Sequence, residues 1–385
     1  MIRKIYAVNM LDAFINGFVY VGLPLLLSER GVDIAAIGLV LALGPLVKNI
    51  ARVLSASLAD QVGFTKFYIM NSASLGLGLL MYNLAWCVPA YGVGKIFDGL
   101  KDASMWAVNR ASVIRAVGEK NAKAHLTKLA SYRTLAMSAG MLMLGLLSHF
   151  FGIITAFKIV LVAALASLVV SFSMKPKALG HMKASASKTL ANLEVRGRSR
   201  LFYWTAVIMA GGTAGYWVLH YLAFPLYLKN SLGYGNETIG ALYAAYFLLL
   251  GATAYLMARF KSSYRVAAVI VLLFYSVSVA GIPLLGKEYT PLLFLLAAIG
   301  DGAGLIFWES VVFNVARKSR NVSSDIAVLH IPSEASIFGA FILGGVAIER
   351  FGFVNIFFIQ AALMALYALA SVIELEKSGC FTADN

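Results

Sequence analysis

The sequence predicts an all-α membrane protein, with twelve transmembrane helices in two pseudo-symmetric six-helix bundles, and three observations carry that expectation. Of 385 residues, 60% are hydrophobic and 13% charged, with a mean hydropathy of +0.81; soluble domains hold about 45–50% apolar residues. The apolar residues fall in runs of about 20, the length at which a helix crosses a bilayer, and the alternating ten-residue pattern of a β-barrel is missing. One long polar stretch, KPKALGHMKASASKTLANLEVRGRSR at 175–200, splits the chain, and the part after it resembles the part before.

In chain order the spans fall near 5–28, 34–58, 66–87, 89–112, 132–150 and 153–174, then 202–228, 236–258, 265–285, 291–315, 326–347 and 353–373. The first is a span and not a cleaved leader, because Asp12 interrupts its apolar run and no small-residue cleavage site follows. The organisation is an N-terminal bundle at 1–174, a basic cytoplasmic linker at 175–200 and a C-terminal bundle at 201–385. Lys and Arg crowd one set of connections, from Arg3 and Lys4 through Lys66, Arg110, Arg115, Arg133 and the linker to Arg259 and Arg317. The opposite set holds only Arg30, Lys158, Lys229, Lys287 and Arg350. Both termini are therefore expected in the cytoplasm. The formal charge of +14 follows from that bias, so no nucleic acid is called for, and anionic lipid is the expected surface partner. Cys87 and Cys380 are too few for a disulfide framework or a metal motif.

Several spans carry polar residues that lipid would not tolerate. The fourth reads PAYGVGKIFDGLKDASMWAVNRASVIR, and on a helical wheel Lys95, Asp98, Lys101, Asp102, Met105 and Asn109 share an arc of about 120°. A charge at the bilayer centre costs from about 3 to more than 10 kcal/mol, so this stripe faces protein or water. It is either an ion-pair ladder pinning helices together or the wall of a polar pathway. On the first span Asn9, Asp12, Asn16 and Tyr20 fall within about 80°. They line a substrate or proton path, or else Asp12 is a carboxylate paired permanently with Lys48, Lys95 or Lys101. Lys48 and Arg52 lie one turn apart on span two, and His330 and Glu334 one turn apart on span eleven. Span seven sets Thr213, Tyr216, Trp217 and His220 on one face, and span ten carries Asp301 and Glu309. HExxH, GxSxG and Walker motifs are absent, which argues against an enzyme or an ATP-driven pump.

The halves match in detail. LPLLLSERGVDIAAIGLVLA with Pro24 aligns with FPLYLKNSLGYGNETIGALYA with Pro225; Asp98-Gly99 is mirrored by Asp301-Gly302; GLLSHFFG ending at Gly152 is echoed by GGVAIERFG ending at Gly352. A six-helix unit repeated in one orientation is a parallel repeat of secondary transporters. Between spans two and three, ASLADQVGFTK is similar to the pattern GxLaDrxGrr(k) of the major facilitator superfamily. Leu58, Ala59, Asp60, Gly63 and Lys66 match, whereas Ala56, Gln61, Phe64 and Thr65 depart. Lys95 and Gly99 stand where that family often has RxxxG, and span five, with Gly140 and Gly145, lacks the Gly-Pro element of its antiporters.

The chain resembles that family over its whole length. The resemblance implies that spans 1, 4, 7 and 10 line a central cavity, that 2, 5, 8 and 11 form the interface between halves, and that 3, 6, 9 and 12 face lipid. It makes Asp12 the expected proton-coupling acid, with Asn9, Asn16, Lys95, Asp98, Lys101, Asp102, Tyr216, His220, Asp301 and Glu309 along the pathway. Lys48 and Arg52 against His330 and Glu334, and Asp60 against Arg110 or Arg115, are the expected gate elements. The function so implied is proton-coupled secondary transport of a small charged or zwitterionic organic solute by a monomer in the plasma (inner) membrane, without cofactor or bound metal. Two alternatives stay open: a metal-ion exporter on the same fold, using Asp12, His220 and His330, and a membrane-embedded lipid-modifying enzyme.

Overall fold

The computed structural model describes residues 1–174, 198–260, 262–316 and 322–377. Most of the expected linker at 175–200 lies outside the described residues, as does the side chain of Asp60. The described chain is helical throughout: α1 (Ile2–Glu29), α2 (Ile34–Val62), α3 (Phe64–Leu84), α4 (Val88–Val117), α5 (Glu119–Phe151) and α6 (Ile153–Phe172) precede the linker. After it come α7 (Arg200–Ser231), α8 (Asn236–Arg259), α9 (Tyr264–Leu285), α10 (Thr290–Ala316), α11 (Val322–Phe351) and α12 (Val354–Lys377).

Among the described residues, ten of the twelve are long and apolar enough to cross a membrane on composition alone. The exceptions are α3, whose hydropathy is lowered by Asn71, Ser72, Ser74 and Asn83, and α4, which carries the four charges. The expected boundary at Val88 and Pro89 is shifted: α3 stops at Leu84, and Pro89 occupies the first turn of α4, where its missing N–H costs nothing. The fifth helix begins at Glu119, well before the expected 132, because the polar run from Glu119 to Arg133 is still rich in helix formers. Ser199 caps α7 by accepting from Phe202 N at 3.2 Å, and Ser263 caps α9 in the same way.

Prolines shape the helices from within. Pro24 and Pro45 lie inside α1 and α2, as Pro332 does inside α11. In α7, π-helical turns at Leu219–Ala223 and Tyr227–Ser231 flank Pro225; a proline cannot donate to the carbonyl four residues back, and a widened turn relieves the clash. A third π-helical segment, Val271–Ser276, interrupts α9.

The chain divides into two compact units, one of Met1–Thr189 with Leu228–Ala244, the other of Leu190–Tyr227 with Ala245–Asn385. In the first unit α1 packs mainly on α5 and α6, and α4 on α2 and α3. The crossing of α1 and α5 is close: a Cβ at Gly17 would strike the Met137 carbonyl, and one at Gly140 the Phe14 carbonyl. Small residues at such crossings let helices associate through backbone contact, since lipid offers no hydrophobic drive. Toward one end of this unit Ile5, Val8, Phe64, Phe67, Tyr68, Met105, Val108, Val113, Leu129 and Met174 form a buried apolar cluster. At its other end the finish of α7 and the start of α8 pack with α1 and α5. There Glu29 pairs with Lys229 at 3.5 Å and accepts from Asn236 at 3.2 Å, and His149 Nδ1 lies 3.3 Å from Glu237.

The second unit repeats the pattern: α7 packs on α11 and α12, and α10 on α9. Two glycine pairs show how closely the halves match. A Cβ at Gly99 on α4 would press on Gly44 O and Val47 of α2, and one at Gly302 on α10 would press on Leu250 O and Thr253 of α8. The turns after α5 and α11 both pass through a glycine with positive φ, Gly152 at 76° and Gly352 at 80°, a backbone state that side chains disfavour.

Candidate functional site

In the first unit the inward face of α1 and the polar stripe of α4 form one network. Asn9, Asp12 and Asn16 are buried, as are Lys95, Asp98 and Lys101, with Asp102 and Asn109 half-buried. The carboxylate of Asp12, 1% exposed, is held first by amides: Asn16 Nδ2 donates to Oδ2 at 3.1 Å and Asn71 Nδ2 to Oδ1 at 3.4 Å. Its ion-pair partner is Arg133 of α5, with Nη2 3.8 Å from Oδ2, and Arg133 Nη1 also donates to Asn9 Oδ1 at 2.9 Å. Lys101 instead donates to Asn16 Oδ1 and pairs with Asp102 at 3.2 Å, so it reaches Asp12 through Asn16. One turn away Lys95 pairs with Asp98 at 3.1 Å, Tyr82 OH donates to Asp98 at 2.7 Å, and the Lys95 ammonium lies 5.9 Å from the Tyr20 ring centre. Asn9 Nδ2 bonds Asn109 Oδ1 at 3.0 Å. On α2 Lys48 is half-buried and Arg52 buried.

The second unit holds a different chemistry. Asp301 on α10 is half-buried and accepts at Oδ2 from Tyr216 OH at 3.0 Å and Tyr246 OH at 2.9 Å. His220 Nε2 lies 3.0 Å from Tyr275 OH and 3.3 Å from Tyr246 OH, and Gln360 Nε2 donates to Tyr275 OH at 3.0 Å. His220 and Tyr275 both sit in π-helical turns, of α7 and α9, a feature common at functional positions. Glu309 is exposed on α10, about 12 Å along the helix from Asp301. His330 and Glu334 on α11 are half-buried, with the His330 ring 5.9 Å from that of Trp308.

Of the expected gate elements, Arg110 is exposed and Arg115 stacks over the Phe64 ring at 4.9 Å. The sequence reading overlooked Arg133, Asn71, Tyr82, Tyr246, Tyr275 and Gln360. Arg133 stands at the very start of the expected fifth span and is counted with the loop cations; because α5 begins at Glu119, it lies well inside the helix. The others are neutral residues, and those of α3, α9 and α12 come from spans expected to face lipid; a search for charges in spans passes over them. Among the described residues no three His, Cys, Asp or Glu side chains group closely enough to hold a metal ion.

Solved structures share this fold. The nucleoside transporter NupG, crystallised as a point mutant, superposes with a TM-score of 0.79 over 97% of this chain and 99% of its own, at 12% identity. A POT family transporter in complex with 5-aminolevulinic acid gives 0.75 over 98% and 96%, at 13% identity. A POT family transporter with a thioalcohol-conjugated peptide gives 0.76 over 99% and 96%, at 12% identity. No curated protein sequence matches the chain. The family model described as Major Facilitator Superfamily matches residues 5–324, and with twelve helices among the described residues, in two repeats of six, the protein is an integral membrane transporter, not an enzyme, and belongs to that superfamily.

Proposed function

We propose that the protein moves a small charged or zwitterionic organic solute by alternating access, coupled to protons, with Asp12 as the coupling acid. The observation that carries this reading is the state of Asp12: its side chain is 2% exposed while that of its partner Arg133 is 33% exposed, and the two are 3.8 Å apart. A pair with one partner at solvent and a loose contact can open. A carboxylate that loses its cation inside a bilayer is then neutralised most cheaply by a proton. Asn16 and Asn71 keep the carboxylate in place through either state, since an amide can donate to the ion or to the carbonyl oxygen of the acid. The half-exposed guanidinium of Arg133 is well shaped for an anionic group of the solute.

In this reading both termini face the cytoplasm of a cell whose plasma (inner) membrane holds the monomer, and Lys48, Arg52, Asp60, Arg110, His330 and Glu334 act in the gates. The metal-ion exporter reading finds no clustered ligands among the described residues. The test begins with a thermal-shift screen of metabolites and amines on the purified protein, because a ligand of the folded state raises its melting point. In proteoliposomes the solute so found should accumulate only under an imposed pH gradient, and Asp12→Asn should remove accumulation. Accumulation that follows a sodium gradient instead, or that survives Asp12→Asn, contradicts the proposal.

A further inference from the structure

Among the described residues, every buried acid of the first unit has a Lys or Arg beside it, whereas Asp301 has none. No Lys or Arg lies within ion-pair range of it among the described residues, and its Oδ1 makes no hydrogen bond there. What surrounds it is aromatic. Tyr216 and Tyr246 donate to Oδ2, and the Tyr221 ring lies 6.4 Å from that of Tyr216. The His220 ring is 4.5 Å from that of Tyr216 and 5.1 Å from that of Tyr246, and Trp217 is 4.5 Å from Tyr221.

A buried carboxylate without a counter-charge is expensive unless a cation reaches it. Because Asp301 is half-buried and its Oδ1 makes no hydrogen bond, a cation can. Aromatic rings attract cations through their quadrupoles, and a cage of rings is the setting in which organic ammonium groups are recognised. A hard metal ion would want six or more oxygen ligands, and one carboxylate among phenols falls short of that. The geometry points to Asp301 with Tyr216, Tyr221 and Tyr246 as a binding site for an organic ammonium group on the transported solute. Oδ1 takes an N–H or the charge of a methylated ammonium, and the two phenols fix the carboxylate so that it need not reorganise. Tyr275, tied down by His220 and Gln360, is a positioning residue. The assignment names the solute class within the transporter reading and rests on it.

The test uses the full-length protein in detergent, with methylammonium chloride, tetramethylammonium chloride and sodium acetate as probes at equal ionic strength, read as saturable shifts of the melting point. Both ammonium salts should stabilise the protein, and acetate should not. Asp301→Asn should weaken ammonium binding at least tenfold. Tyr216→Phe, which keeps the ring, should weaken it less than Tyr216→Ala, and the alanine should hurt tetramethylammonium more than methylammonium. Unchanged ammonium affinity in Asp301→Asn, or stabilisation by acetate alone, overturns the assignment. Should Asp301→Asn not fold, unchanged affinity in Tyr216→Ala overturns it equally. If the ammonium salts bind as described and yet proteoliposomes accumulate no ammonium solute, the transport reading fails and the site stands.

Discussion

The two units share a scaffold and differ in how they treat a buried acid. On α4, Asp98 precedes Gly99 at the contact with α2; on α10, Asp301 precedes Gly302 at the contact with α8. In that register Lys95 corresponds to Ala298, Lys101 to Gly304 and Asp102 to Leu305. In the first unit the acids of α4 are therefore neutralised by lysines of the same helix, and the second unit has small residues in place of both lysines. Tyrosines from α7 and α8 stand where a base would be. A repeated fold thus fixes where the acid sits, and the neighbours fix whether it is a fastened strut or an open seat for a cation.

The comparison breaks most visibly at Lys101. Lys101→Met leaves Asp102 and the Asp12–Asn16 pair without a buried cation, and losing one partner of a buried pair costs roughly 3–5 kcal/mol. Thermal unfolding in detergent should show that loss, and adding Asp102→Asn should recover more than half of it. If Lys101→Met alone is as stable as the parent, the first unit's pairs are not fastened. Next in size are the close approaches: Gly99→Ala and Gly302→Ala each push a methyl against a backbone carbonyl, and each should cost about 2–3 kcal/mol. A large cost at one and none at the other would show that the repeats pack differently. At the turns, Gly152→Ala and Gly352→Ala, with φ of 76° and 80°, should each lower stability by about 1–2 kcal/mol. The smallest effect on stability belongs to Asp301→Asn. An amide oxygen still accepts from Tyr216 and Tyr246 and no cation is orphaned, so the change should stay within about 1 kcal/mol.

Much of this is legible in the sequence. Pro24 with Pro225, Asp98-Gly99 with Asp301-Gly302, and Gly152 with Gly352 announce the repeat, because a proline, a close helix contact and a left-handed turn each demand one residue type. The polar stripes of α1 and α4 were legible for the same reason, since lipid excludes charge. Their pairing was not. The sequence pairs Asp12 with Lys48, Lys95 or Lys101, and its ion-pair partner is Arg133 of α5, which stands at the edge of the expected fifth span and counts there among the loop cations. The aromatic surround of Asp301 was half visible, in Tyr216 and His220; Tyr246, Tyr275 and Gln360 arrive from three other helices, and no periodicity in one helix records which neighbour it will meet. The widened turns of α7 and α9 left a trace only at Pro225.

The division of labour between Asp12 and Asp301 can be read in one assay, in proteoliposomes loaded with the solute found by the melting-point screen. Solute exchange at equal pH reports binding and the conformational cycle, and accumulation under a pH gradient reports coupling as well. Asp12→Asn should exchange at no less than about a third of the parent rate and accumulate nothing, whereas Asp301→Asn should lose exchange and accumulation together. If Asp301→Asn exchanges normally and fails only to accumulate, or if Asp12→Asn loses both, the roles assigned to the two acids are wrong.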